Sequence, residues 1–172
     1  MIKKAILVIL VLLIVYLLLA NAIRPKILYP AGRDTVESFN DGTYQILSGQ
    51  TEDGLRIESL YNCKYNALII QQVEDFRVTN GKVYVTGNSI QYFTSDKADI
   101  KCTYEIIAVI EIETNRLMLC VIPDSSTDRG IYIRFLDEMI NNGEAQLLSQ
   151  LTDFSQEDQS VFEGFGHSLN NK

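Results

Sequence analysis

The chain has 172 residues, of which 47% are apolar, with 22 acidic and 15 basic side chains and a formal net charge of −7. This length suits a single domain, and the composition excludes a mainly disordered chain and a polytopic membrane protein. The negative charge also argues against a nucleic-acid-binding surface, which needs clustered bases to neutralise phosphates.

The first segment of the chain is almost entirely apolar. Eighteen of the nineteen residues over 5–23 are apolar, and two lysines precede them. As a helix this run would measure about 28 Å, close to the hydrocarbon core of a bilayer at about 30 Å. Residues 24–172 then carry thirteen bases against 22 acids, a net charge of −9. The sequence predicts a transmembrane segment over 1–23, followed by an acidic domain.

This segment is either a cleaved signal peptide or a retained signal anchor. Ala20-Asn21-Ala22 has the small-x-small pattern of a signal-peptidase site, and cleavage after Ala22 would give a secreted protein. The apolar run reaches that site with almost no polar spacer, which favours retention. Bases flank the run on both sides, so the positive-inside rule does not decide the orientation. The short basic N-tail is nevertheless typical of an export signal. We therefore expect a single-pass protein of the cell membrane that contacts the bilayer through residues 5–23, with its domain extracytoplasmic.

The residues after the apolar run change from a spacer to strand-like patterns. Over 24–42 two prolines mark a juxtamembrane spacer, and Val36 and Phe39 fit one small helical turn. From residue 43 the apolar side chains recur with a period close to two, which is typical of half-buried strands. Three strands are predicted here, over 43–48, 55–61 and 67–73.

Two hairpins follow. Asn80-Gly81 predicts a type I′ turn, because both residues must adopt positive φ, and this register pairs Val78 with Val83 and Phe76 with Val85. A second hairpin, turning at Thr114-Asn115, pairs Ile112 with Leu117 and Glu113 with Arg116. The reverse face of that hairpin then carries a second apolar patch that needs a cover, made of Ile107, Val109, Cys120 and Ile122.

The predicted cover is a pair of C-terminal helices over 123–151. Residues 125–128 are good N-cap residues, and the apolar stripe from Tyr132 to Ile140 has helical spacing. A shorter helix follows over 145–151, and residues 152–172 read as an acidic polar tail with a few aromatic anchors. The predicted fold class is α+β, with an N-terminal transmembrane helix, an antiparallel meander sheet over 43–122 and C-terminal helices packed on it.

Part of this pattern resembles one blade of a β-propeller. The resemblance rests on the turn and strand residues over 80–87 and 107–117. A propeller needs at least four blades of about forty residues each, so the chain beyond the apolar run is too short to form one.

The three cysteines do not predict a disulfide framework. An odd number leaves at least one thiol unpaired within the chain, and the predicted register places Cys120 opposite Val109, away from Cys102. We expect small, partly buried thiols, with Cys63 the most accessible. No Cys/His spacing typical of a zinc site is present.

Other residues that carry chemistry are scattered. His167 lies close to the C-terminus, a poor position for a catalytic base. Glu111 and Glu113, two apart on one predicted strand face, fit a carboxylate pair only if a second element opposes them. Asp124 and Asp128 fit calcium ligands, but helix capping explains them more simply. The sequence therefore predicts no catalytic, cofactor-binding or metal-binding residues.

Acidic residues dominate the C-terminal part of the chain. Between Phe135 and Asn171 there are seven acids and no Lys or Arg, which fits a solubilising surface or a contact for a basic partner. The acids are Asp137, Glu138, Glu144, Asp153, Glu157, Asp158 and Glu163.

Three classes of function remain open. The favoured class is a membrane-anchored, non-enzymatic binding or interaction domain that contacts an envelope protein. The second is an exported hydrolase that uses carboxylates such as Glu111 and Glu113. The third is a structural or assembly subunit that partners through its apolar helix. The oligomeric state and the ligand stay open.

Overall fold

The computed structural model describes residues 29–94, 99–123 and 136–165, and within them the chain is mostly β with few helices. The apolar run over 5–23 lies outside these residues, and no helix among those described is long and apolar enough to cross a membrane. The strands are β1 (Thr35–Phe39), β2 (Tyr44–Gln50), β3 (Arg56–Asn62), β4 (Ala67–Ile70), β5 (Gln72–Thr79), β6 (Lys82–Thr94), β7 (Asp99–Glu111), β8 (Arg116–Pro123) and β9 (Ala145–Leu148). The helices are α1 (Asp137–Asn141) and α2 (Gln156–Glu163), with a 3₁₀ turn at Leu151–Asp153.

The strands form two sheets. The first sheet has the order β1-β2-β3-β4 and the second the order β5-β6-β7-β8-β9. Neighbouring strands are antiparallel, except that β8 and β9 are parallel. The α+β class is confirmed at this level, whereas the single predicted meander is replaced by two sheets.

The chain passes from the first sheet to the second at Gln71, so the continuous strand predicted over 67–73 is wrong. The Ser59 hydroxyl donates to the Gln71 carbonyl at 2.6 Å, and the Gln71 amide donates to Ser89 Oγ at 3.0 Å. Gly87 permits this crossing, because a Cβ there would lie 2.2 Å from the Gln72 carbonyl oxygen. The side chains alternate on both sides of the break, so the sequence pattern hides it.

The helical turn predicted at Val36 and Phe39 is also wrong, since Thr35–Phe39 is an edge strand within the expected spacer. It pairs with β2, with a bulge between Thr35 and Glu37. Backbone pairing to a neighbouring strand overrides a short apolar spacing of this kind.

The first predicted hairpin is confirmed. Asn80 and Gly81 have φ of 52° and 72°, and Val78 pairs with Val83 and Phe76 with Val85. The local demand for two positive φ angles determines this register without help from the rest of the fold.

The second predicted hairpin has the right strands and the wrong register. Ile110 pairs with Leu117 and Glu111 with Arg116, two residues away from the predicted pairs. The loop therefore covers 112–115, with Asn115 at a φ of 59°. A shift of two residues keeps each side chain on its face, which is why the predicted apolar faces survive.

The largest apolar cluster, the inter-sheet core, lies between the two sheets. Alternate residues of each sheet point into it, as the period of two requires, and α1 adds Met139 at its margin. From the first sheet it contains Phe39, Tyr44, Ile46, Leu60, Ile69 and Ile70. From the second sheet it contains Val83, Val85, Ile106, Ala108, Ile110, Leu117 and Leu119.

The other face of the second sheet carries a second cluster, here called the back cluster. It consists of Tyr84, Ile107, Val109 and Cys120 from the sheet and Leu148, Phe154 and Phe162 from the C-terminal part. The predicted apolar patch is therefore confirmed, but its predicted cover, a pair of helices over 123–151, is wrong. Leu136 and Met139 from the first predicted helix pack into the inter-sheet core instead, and residues 124–135 of that helix lie outside the described residues. The covering elements differ from the prediction, since Ala145–Leu148 is a strand and α2 lies in the expected tail.

Several turns gather at one end of both sheets, here called the near end, where the described chain begins at Tyr29. The Asn40 amide joins the turn over 40–43 to the turn over 112–115 by a 2.8 Å bond to Asn115 Oδ1. Ile112 N donates to the Gly81 carbonyl at 2.9 Å. The near end comprises residue 29 and the turns over 40–43, 63–66, 80–81, 112–115 and 142–144, while the β2–β3 turn over 51–55 lies at the far end of the first sheet.

Candidate functional site

A buried carboxylate lies between α2 and the back of the second sheet. Asp158 is only 2% exposed, and its Oδ1 accepts hydrogen bonds from Lys82 Nζ and from the Tyr84 hydroxyl, each at 2.8 Å. Its Oδ2 accepts a bond of 2.6 Å from Ser155 Oγ. Ser155 is also the N-cap of α2 and accepts from the Asp158 amide. Both carboxylate oxygens are thus occupied by groups of the chain itself.

The protonation of this cluster follows from its contacts. Burial disfavours the charged carboxylate, but the bonds from Lys82, Ser155 and Tyr84 outweigh burial and hold the pKa of Asp158 below its usual value. Burial and the neighbouring Asp158 carboxylate raise the pKa of the Tyr84 hydroxyl. The arrangement keeps Asp158 ionised and Tyr84 neutral, so no proton is available for exchange. We call this structural group of Lys82, Tyr84, Ser155 and Asp158 the Asp158 clasp.

The C-terminal acids are mostly engaged within the chain. Glu157 Oε1 accepts from the Asn80 amide at 2.9 Å, and Asp153 Oδ2 accepts from the Ser149 and Gln150 amides. Glu144 pairs with Lys64. Of these three acids and Asp158, only Asp158 is buried, whereas Asp153 and Glu157 are exposed and Glu144 is partly exposed, so an acidic contact for a basic partner stays a prediction.

Two buried side-chain polar groups at the inter-sheet core, the Tyr44 hydroxyl and Asn62 Nδ2, have no hydrogen-bond partner among the described residues. Tyr44 and Asn62 are opposite each other on β2 and β3, and both are fully buried. Neither the Tyr44 hydroxyl nor Asn62 Nδ2 makes a hydrogen bond, although Asn62 Oδ1 accepts from the Tyr65 amide at 3.1 Å. Burial raises the pKa of Tyr44, and the adjacent Asn62 amide acts in the opposite direction.

The surface above this pair is polar and belongs to the near end. Lys64 pairs with Glu144 and lies 5.0 Å from the Tyr65 ring centroid, and its bond to Glu144 raises the pKa of Lys64. The Asn142 amide donates to the Tyr65 hydroxyl at 3.0 Å. These contacts join the turn over 63–66 to the loop before β9.

A shallow depression of about 410 Å³ lies beside β1, β2 and β3 and opens to solvent. It carries charges of both signs, from Asp34 and Arg56, and the Arg56 guanidinium is 3.3 Å from Glu58. Leu55, beside Arg56 in the chain, is 67% exposed. The depression is lined by Asp34, Ser48, Gly49, Gln50 and Arg56.

The carboxylates singled out in the sequence do not form a pair on one strand. Glu111 is the last residue of β7, and its Oε2 accepts a 2.7 Å bond from Thr114 Oγ1 in the following turn. Glu113 lies in that turn and is exposed. The predicted strand face with both residues is wrong, because the strand ends two residues earlier than expected.

The remaining candidate residues divide between the described and the undescribed parts of the chain. All three cysteines are thiols, with Cys102 and Cys120 buried and Cys63 intermediate; burial raises the pKa of Cys63. Asp124, Asp128 and His167 lie outside the described residues. Within the residues that are described, no three His, Cys, Asp or Glu side chains come together as a metal site.

Sequence reasoning missed the Asp158 clasp and the depression. A signal for the clasp exists: Ser155 three residues before Asp158, followed by Val161 and Phe162, is an N-cap pattern before a short apolar stripe. The depression has no such signal, since its residues come from two strands, β2 and β3, and from Asp34 just before β1. Comparison with known proteins gives no match, whether to a protein-family model, to a curated protein or to a solved structure.

Proposed function

We propose that this chain is a single-pass, membrane-anchored extracytoplasmic protein whose domain acts by binding another protein of the cell envelope, without catalysis. The apolar run over 5–23 supports the anchor, because its helical length of about 28 Å matches the hydrocarbon core. The basic N-tail supports an orientation with the domain outside.

The observation that carries the proposal is the attachment of Tyr29 to the domain. Tyr29 N donates to the Asp41 carbonyl at 3.2 Å, and the Tyr29 carbonyl accepts from Gln45 Nε2 at 3.2 Å. Gly42 lies directly beneath, since a Cβ there would be 1.7 Å from the Tyr29 oxygen. Only the residues over 24–28 therefore separate the apolar run from the folded domain, so the domain works close to the bilayer.

The depression supports binding of a protein over binding of an enclosed small molecule. Ligand pockets enclose most of a small ligand, whereas this depression is open. Asp34 and Arg56 offer one charge of each sign, and Leu55 adds an exposed apolar group beside them. Polar groups around an apolar contact are the usual composition of a protein interface.

Crosslinking in intact cells tests this proposal. We expect the full-length chain in the membrane fraction, with Met1 retained, to crosslink to a specific envelope protein. The double variant Leu55→Asp/Arg56→Glu should lose that crosslink, while Glu163→Lys, an exposed change on α2, should keep it. An N-terminus at Ile23 in the medium would contradict the anchor. A crosslink that survives the double variant would contradict the depression as the binding surface.

A further inference from the structure

The near end of the domain is one continuous surface next to the start of the described chain. The Tyr29 backbone is bound to the turn over 40–43, and Asn40 extends that contact to the turn over 112–115. Ile112 N in turn bonds the Gly81 carbonyl. The turn that holds Tyr29 is therefore connected through Asn40 and Ile112 to two turns of the second sheet.

The length of chain between the apolar run and Tyr29 limits how far this surface can be from the bilayer. Five residues, over 24–28, separate Ile23 from Tyr29, and the six Cα–Cα steps between these two residues span at most about 20 Å. The strand β7 alone, with its thirteen residues, is about 43 Å long. The extended segment over 24–28, here called the tether, is therefore shorter than strand β7.

The exposed apolar side chains of the near end fit the same orientation. Val78 is 51% exposed and lies just before the turn over 80–81, and Ile112 is 36% exposed in the turn over 112–115. Burial of exposed apolar side chains at the lipid headgroup level is favourable.

We infer that the near end faces the phospholipid bilayer in which the chain is anchored. In this orientation the strands of the first sheet run away from the membrane plane, and the β2–β3 turn lies at the end farthest from the bilayer. This inference rests on the proposed anchor and adds to it the part of the domain that contacts lipid. It places the depression's Arg56 and the neighbouring Leu55 on the side where an envelope partner arrives.

Fluorescence quenching at two positions tests this orientation. Cys63 lies in a near-end turn and is partly accessible, whereas Cys102 and Cys120 are 2% and 1% exposed, so a thiol-reactive fluorophore labels Cys63 selectively in the full-length chain. The matched far-end probe is the variant Cys63→Ser/Asp53→Cys. Both proteins are placed in phosphatidylcholine vesicles that contain headgroup-spin-labelled lipid.

We expect the probe at Cys63 to be quenched several-fold more strongly than the probe introduced at Asp53. Equal quenching, or stronger quenching at Asp53→Cys, would overturn the orientation. Flotation of the same vesicles measures membrane anchoring independently of the orientation. A chain that does not float with the vesicles contradicts the proposed function and the inference with it. A chain that floats with equal quenching contradicts the inference alone.

A lengthened tether tests whether the short linker is the cause. About thirty Gly and Ser residues inserted between Lys26 and Ile27 add a reach of about 30 Å. The difference in quenching between the two probes should then shrink. An unchanged difference would overturn the short tether as the cause of the orientation.

Discussion

The second sheet has an apolar cluster on each face, and the two clusters are built differently. The inter-sheet core is filled mainly by alternate residues of β-strands, but it contains the unpartnered Tyr44 hydroxyl and Asn62 amide. The back cluster is smaller and is covered by a short terminal segment, yet its buried charge, Asp158, has all its contacts satisfied. A short cover therefore depends on few residues that each contribute much, whereas a large core tolerates an imperfect polar pair.

The substitution expected to have the largest effect on stability is Phe162→Ala, which removes a side chain from the back cluster. Phe162 is fully buried, and its ring centroid lies 5.5 Å from that of Tyr84 and 5.4 Å from that of Phe154. We expect a loss of about 4 kcal/mol in the free energy of unfolding, measured by urea unfolding of the chain in detergent micelles with near-UV circular dichroism. Phe165→Ala, at a partly exposed ring, should cost clearly less. Equal losses would mean that Phe162 is not central to the cover.

Removal of the buried charge should have the next largest effect. Asp158→Asn leaves Lys82 Nζ without its ionic partner in a partly buried position, and we expect a loss of about 3 kcal/mol in the same unfolding experiment. Glu157→Gln, an exposed neighbour on α2, should change the stability by less than about 0.5 kcal/mol. Similar losses in both variants would contradict a specific role for Asp158.

Lowering the pH should remove the stabilisation that the ionised Asp158 carboxylate provides. The pKa of Asp158 is lower in the folded chain than the unfolded value of about 3.9. Its stabilisation is therefore complete above that value and disappears as the pH falls from about 4 through the folded pKa. The difference in urea midpoint between the wild type and Asp158→Asn should narrow over this range. A difference that stays constant down to the folded pKa would contradict this assignment.

Replacing a tyrosine by phenylalanine should affect the stability of the two clusters differently. Tyr84→Phe removes a hydrogen bond to a charged group and should cost about 2 kcal/mol. Tyr44→Phe removes a buried hydroxyl that has no partner, so it should be neutral or stabilise by up to about 1 kcal/mol. Unfolding curves of both variants measure this. An equal cost at both positions would contradict the absence of a hydrogen-bond partner at the Tyr44 hydroxyl.

The smallest expected effect concerns the hairpin on which both clusters are built. Gly81→Ala places a side chain at a φ of 72° and should cost about 1 kcal/mol. Gly32→Ala is the control, because that glycine has no positive φ and its Cβ would lie no closer than 3.9 Å to Thr35 Oγ1. If the control costs as much as Gly81→Ala, the backbone conformation is not the cause.

Sequence reasoning was accurate where one short segment decides its own conformation. The Asn80-Gly81 turn is such a case, and the second apolar patch at Ile107, Val109 and Cys120 followed from the alternation of side chains along two strands of one hairpin. It failed where the outcome depends on a distant partner. Thr35–Phe39 became a strand because β2 lies beside it, and Ala145–Leu148 because β8 accepts it in parallel.

The sequence by itself determined which faces of the central strands are apolar and where the tightest turn lies, because φ preferences and the period of two act within a few residues. Only the tertiary structure decided that the strands divide into two sheets at Gln71, that α2 covers the back cluster through Asp158, and that Tyr29 attaches to the near end. Each of these depends on contacts between residues far apart in the chain. The energies of such contacts do not depend on the local sequence pattern, so that pattern cannot predict them.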